Sequence, residues 1–109
     1  MNFRVIYPKD LAGMQQNSRV VLVDLRESAS YQRGHWEGAV SAPLRTEEEL
    51  ERRLDRSKGY IFYCDYGGSS MQIARQLGNK GYQVATVVGG WDAMQKFTQK
   101  TIPKNGKMW

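Results

Sequence analysis

Three runs that do not alternate between apolar and polar residues constrain this chain most: RVVLVDL (19–25), YIFYC (60–64) and VATVV (84–88). A strand with one wet face alternates, so these runs read as strands buried on both faces, the habit of parallel sheets covered by helices. Between the second and third lies SSMQIARQLGNKGY, where Ile73 and Leu77 sit at i, i+4 with Ala74 beside them and Gly81 is placed to end a helix in the left-handed conformation. The spacing predicts a strand, helix, strand unit with a right-handed crossover.

The remaining elements follow from local signals. TEEELERRLDR announces a second helix, with Thr46 as N-cap, Glu49 completing a capping box and Leu50 and Leu54 as the apolar stripe. A short strand in FRVIY, helical segments in YPKDLAGMQQN, in SASYQRG closed by Gly34 and in GGWDAMQKF, and a brief strand over residues 39–41 complete the set. The sum is an α/β layered domain of about five strands interleaved with helices. It is expected to occupy residues 1–98, with 99–109 as a basic C-terminal arm, because TQKTIPKNGKMW replaces periodicity with Pro103, Gly106 and lysines.

Composition narrows the function. With 109 residues and 40% hydrophobic content the chain has enough material for one core. Its net charge of +5 comes with no nucleic-acid-binding motif, so no nucleic-acid partner is expected. No apolar stretch approaches the roughly 20 residues that span a bilayer, and MNFRVIYPKD carries charges where a secretion signal needs its apolar segment. No membrane partner and a cytoplasmic address are therefore expected. A single cysteine, Cys64, excludes an intrachain disulfide, a dithiol redox pair and a cysteine-rich metal site. Neither metal nor cofactor is expected.

Cys64 opens the stretch CDYGGSS at the end of a strand and the start of a helix. In open α/β sheets sites form beyond the carboxyl ends of strands. There the helix N-terminus offers partial positive charge and unpaired N–H groups to an anionic sulfur. Gly67 and Gly68 let the backbone curl so that amides point inward, and Ser69 and Ser70 add hydroxyl donors or a helix cap. The loop Cys64, Asp65, Tyr66, Gly67, Gly68, Ser69 and Ser70 is thus the candidate active site.

Four motifs in order resemble the rhodanese family of sulfurtransferases: DLR (24–26), YQRGHWEGAVSAP (31–43), the Cys64, Gly67, Ser70 pattern of a C-x-x-G-x-x-S loop, and GGWDAM (89–94). The resemblance implies a three-layer fold with a mainly parallel, five-stranded sheet flanked by helices. It implies that Cys64 accepts a sulfane sulfur from thiosulfate or a persulfide as a persulfide of its own, then passes it to cyanide or a thiol. The partners would be a small-molecule sulfur donor and thiol acceptor, or a protein persulfide as donor. The alternative is a rhodanese-like binding or sulfur-carrier module without efficient turnover.

Two features modify that expectation. Asp65 follows the cysteine where strong thiosulfate users of the family carry a basic side chain, and Ser69 stands where many have an arginine; the negative charge of Asp65 opposes a dianionic donor. The related phosphatases and arsenate reductases need an arginine after five residues from the cysteine, and here that position is Ser70, with no arginine before Arg75. His35 is read as stabilising its turn, and Trp36 and Trp91 as packing residues. Asp24 and Arg26 are expected to tie the sheet edge to neighbouring loops, with Arg26 the candidate supporting residue that adds positive potential near the site.

Overall fold

The computed structural model describes residues 2–43 and 46–101, with the side chains of 99–101 outside the description. Five strands, β1 (Arg4–Ile6), β2 (Val20–Asp24), β3 (Val40–Ser41), β4 (Gly59–Tyr63) and β5 (Gln83–Val87), form one sheet in the order β1-β5-β4-β2-β3. Every pairing in it is parallel. The three non-alternating runs are the three central strands, each covered on both faces. In β4, Tyr60 and Phe62 join the core that packs against α4 (Gly68–Asn79), whereas Ile61 and Tyr63 join the opposite core with Leu11, Met94 and Trp91. Burial on two faces removes any reason for alternation.

The helices are α1 (Leu11–Met14), entered through a 3-10 turn at Pro8–Asp10, α2 (Ser28–Arg33), α3 (Glu47–Glu51), α4 and α5 (Gly90–Thr101). The end of α4 is the Schellman arrangement that Gly81 foreshadows: Gly81 has φ 94°, Tyr82 N–H donates to Leu77 O at 3.2 Å and Gly81 N–H to Gly78 O at 3.0 Å.

Several expectations need correction. The TEEELERRLDR helix stops at Glu51, because Arg53 and Leu54 N–H turn back to Leu50 and Glu51 in tighter i to i−3 bonds. Its capping box is half made: Glu49 N–H donates to Thr46 Oγ1 at 3.1 Å, but the Glu49 carboxylate meets the Thr46 hydroxyl instead of its backbone. Gly34 does close α2, as expected, and does so in extended backbone, φ 166°. The expected arm at 99–109 begins too early, since α5 runs through Thr101; the lysines and threonines after Phe97 are compatible with a helix that already has its first two turns packed on the core. The rest of that arm, residues 102–109, lies outside the described residues.

Candidate active site

Cys64 follows the last residue of β4 and precedes the first turn of α4, so its side chain stands where a helix start leaves N–H groups unpaired, and two of them reach it. Its Sγ accepts the N–H of Gly67 at 3.2 Å and of Ser70 at 3.3 Å, and lies 3.5 Å from Ser70 Oγ. Gly67 is the N-cap and Ser70 the third helical residue, so the sulfur accepts the bond that an N-cap side-chain oxygen ordinarily accepts. The neck between them depends on Gly67, whose φ of 106° is left-handed. A Cβ there would also sit 3.3 Å from Gly89 N. Cys64 is buried, with 8% of its surface exposed.

The loop residues divide into two groups. Gly67 and Ser70 are buried and point donors at the sulfur; Asp65, Tyr66, Gly68 and Ser69 are exposed and make no hydrogen bond to it among the described contacts. Gly68 differs from its expected role, because it lies inside the helix without a positive φ, and a Cβ on it would meet nothing within 4 Å. One glycine, not two, makes the turn. The Asp65 carboxylate faces solvent without a described hydrogen-bond partner, and Tyr66 is 77% exposed beside it. Ser70 Oγ lies 2.7 Å from Thr86 Oγ1 and 3.3 Å from Gly67 O.

A second helix start holds the loop from the other side. Trp91 N–H donates to Cys64 O at 2.8 Å and Asp92 N–H to Asp65 O at 3.1 Å, so the first amides of α5 satisfy loop carbonyls as those of α4 reach the sulfur. Such contact requires a bare Gly90, where a Cβ would stand 2.5 Å from Cys64 O. The GGWDAM motif therefore has a physical reason to accompany the cysteine loop.

Asp24 and Arg26 brace the site from behind. Asp24 ends β2, between β4 and the edge strand β3, and the pair reaches Tyr63 at the end of β4 and Gly34 after α2, so the expected tie to a neighbouring loop is made. Arg26 binds both Asp24 carboxylate oxygens through Nε, and Oδ2 again through Nη2 at 2.6 Å; Nη2 also donates to Gly34 O at 2.7 Å. Burial works against the Arg26 charge, but the bonds and charge of Asp24 outweigh it and hold the guanidinium protonated. Tyr63 donates to Asp24 Oδ2 at 2.7 Å, and burial together with that bond pushes its hydroxyl above the usual tyrosine range. The Arg26 guanidinium lies 4.5 Å over the Trp91 ring, the residue whose amide holds Cys64 O. No described bond joins Arg26 to the sulfur, so its reach to the loop runs through Trp91.

His35 stacks on Tyr31 with ring centroids 3.8 Å apart, and its Nδ1 lies 2.8 Å from Tyr31 O, which fixes the turn after α2. Trp36 and Trp91 pack on the core and also line a cleft of about 790 Å³ with Gln15, His35 and Gln95, a lining that does not include Cys64. Thr86 is the site residue that sequence reasoning missed. A threonine is an ordinary strand former, and its only signal was a lone hydroxyl in an otherwise apolar run.

Comparison with known proteins matches this architecture to one family. The sequence fits the rhodanese-like domain family over residues 7–97. The chain belongs to the rhodanese-like domain family. It is 39% identical over 80 residues to a tRNA sulfurtransferase of Pyrobaculum aerophilum, covering 71% of this chain but 16% of that protein. It is 30% identical over 93 residues to the thiosulfate sulfurtransferase GlpE of Haemophilus influenzae, covering 84% of this chain and 88% of the relative. The fold superimposes on reduced CoADR-RHD of Bacillus anthracis with a TM-score of 0.81 at 22% identity, over 91% of this chain and 18% of that one. Among the described residues, no helix is long and apolar enough to cross a membrane.

Proposed function

We propose that the chain is a sulfurtransferase in which Cys64 carries a sulfane sulfur between a donor and a thiol or cyanide acceptor. The observation that carries this reading is the pair of amides and one hydroxyl gathered around a single buried sulfur, with no second cysteine in the chain. In the first step the Cys64 thiolate attacks the outer sulfur of thiosulfate. An S–S bond forms, the donor S–S bond breaks, and sulfite leaves with the electron pair. In the second step cyanide takes the outer sulfur of the persulfide, thiocyanate forms and the Cys64 thiolate returns; a thiolate acceptor would leave as a persulfide instead. The amides offer donors to the anion at each stage, and the absence of a resolving cysteine favours release of sulfur to an outside acceptor.

A persulfide, free or on a protein, suits the exposed face of the loop better than thiosulfate as the working donor, because Asp65 sets a negative charge beside the entry and thiosulfate carries two of its own. The names of the relatives agree with sulfur transfer; one names thiosulfate and another names tRNA. Thiocyanate production with excess donor and cyanide tests turnover. Many equivalents per chain, abolished in Cys64→Ser, are expected. Release of no more than one equivalent would favour the sulfur-carrier module, and none from any donor would contradict sulfur chemistry here.

A further inference from the structure

Thr86 lies on β5, against the first turn of α4, and it is buried with 1% of its surface exposed. Its hydroxyl has one described side-chain partner, Ser70 Oγ at 2.7 Å. A buried hydroxyl proton without an acceptor is costly, so the Thr86 proton goes to Ser70 Oγ. Ser70, itself fully buried, then has its own proton free for one of two acceptors: Gly67 O at 3.3 Å or Cys64 Sγ at 3.5 Å.

We propose that Thr86 is a positioning residue for the sulfur, acting through Ser70 to turn a two-way hydroxyl into a donor for the anionic form of Cys64. With a neutral thiol, the S–H donates to Ser70 Oγ and the Ser70 proton rests on Gly67 O. When the sulfur is anionic, the Ser70 hydroxyl rotates to donate to it, and the bond from Thr86 polarises that hydroxyl further. The sulfur then has three donors: two amides and one hydroxyl. Without Thr86, Ser70 Oγ loses its buried donor and its bond to sulfur weakens. This inference deepens the sulfurtransferase reading and names a residue on a strand outside the active loop.

The experiment follows alkylation of Cys64 by iodoacetamide, which reads the thiolate whether or not the protein transfers sulfur. Thr86→Val removes the hydroxyl and keeps the shape. It is expected to slow alkylation about fivefold at about pH 6.5, the effect of one neutral hydrogen bond, and to change it little at about pH 10. Thr86→Ser should restore the low-pH rate, and in a Ser70→Ala background Thr86→Val should add no further slowing. Thr86→Ala gives the same reading without asking the strand to fit a new methyl. The charged groups around the loop are the same in all variants: Asp65, Asp92 at the start of α5, the Asp24–Arg26 pair and the exposed Arg75 of α4. Equal rates at low pH, equal slowing at both pH values, or failure of Thr86→Ser to rescue would each overturn the proposal. If Cys64 alkylates in the expected pattern yet accepts no sulfur from any donor, the transferase reading fails and the Thr86–Ser70 assignment stands.

Discussion

At Cys64 the side chain caps a helix, and in the proposed reaction the same sulfur is the nucleophile. Because Sγ takes the amide of Ser70 in the way an N-cap oxygen would, the geometry that stabilises the start of α4 is also the geometry that cradles charge on sulfur. Asp65 works against that charge from the exposed side, with no described partner to neutralise it. Replacing it should therefore favour an anionic donor. Asp65→Arg is expected to raise thiosulfate turnover by about tenfold or more, since it turns a repulsion into an attraction worth on the order of 1 kcal/mol at each sign in a wet site. The thiocyanate assay at low ionic strength checks it, and unchanged turnover would mean that the donor approaches from elsewhere.

On α4 the same substitution should act with opposite signs at two glycines. Gly68 lies in the first turn with open space where a Cβ would go, so Gly68→Ala is expected to stabilise the protein by a few tenths of a kcal/mol to about 1 kcal/mol. Gly78 packs against the backbone of Asn2 at the last turn, where a Cβ would collide with the Asn2 carbonyl; Gly78→Ala should destabilise by about 1–3 kcal/mol. Denaturant unfolding of the two variants checks the contrast, and equal stabilisation would contradict the close approach at Gly78. Such contacts also mark what the sequence does and does not disclose. The buried strands, the Gly81 stop and the Cys64, Gly67, Ser70 spacing are legible because each depends on local pattern or on one residue's conformational freedom. Gly78, the Ser70–Thr86 contact and the second helix start at Gly90 depend on segments brought together only by the fold. The early stop of α3 was illegible for a related reason, since Leu54 continues the apolar stripe but the chain turns toward β4.

The whole molecule is closed on the side away from the cysteine by a charged cluster. Lys80, just after α4, meets Glu47 at 2.8 Å and Glu51 at 2.9 Å on α3, and Tyr82 donates to Glu51 Oε2 at 3.0 Å. The bonds from Lys80 and Tyr82 hold the Glu51 carboxyl below its ordinary value of 4.5, and the two carboxylates raise Lys80 above its own usual range. For a carboxyl whose value is lower in the folded chain, the stabilisation is complete above about pH 4.5 and is lost as pH falls through the folded value. Glu51→Gln is expected to be somewhat less stable than the parent at neutral pH and to lose less stability on acidification below that point. Thermal unfolding between neutral and acid pH checks this, and parallel curves would mean that the cluster is not formed in solution. Sulfur on Cys64 remains the claim on which the functional account depends. Intact-protein mass after treatment with glutathione persulfide or thiosulfate tests it most directly: a gain of one sulfur atom, removed by cyanide and absent in Cys64→Ser, is expected, whereas an unchanged mass with every donor, or a gain that survives in Cys64→Ser, would contradict it.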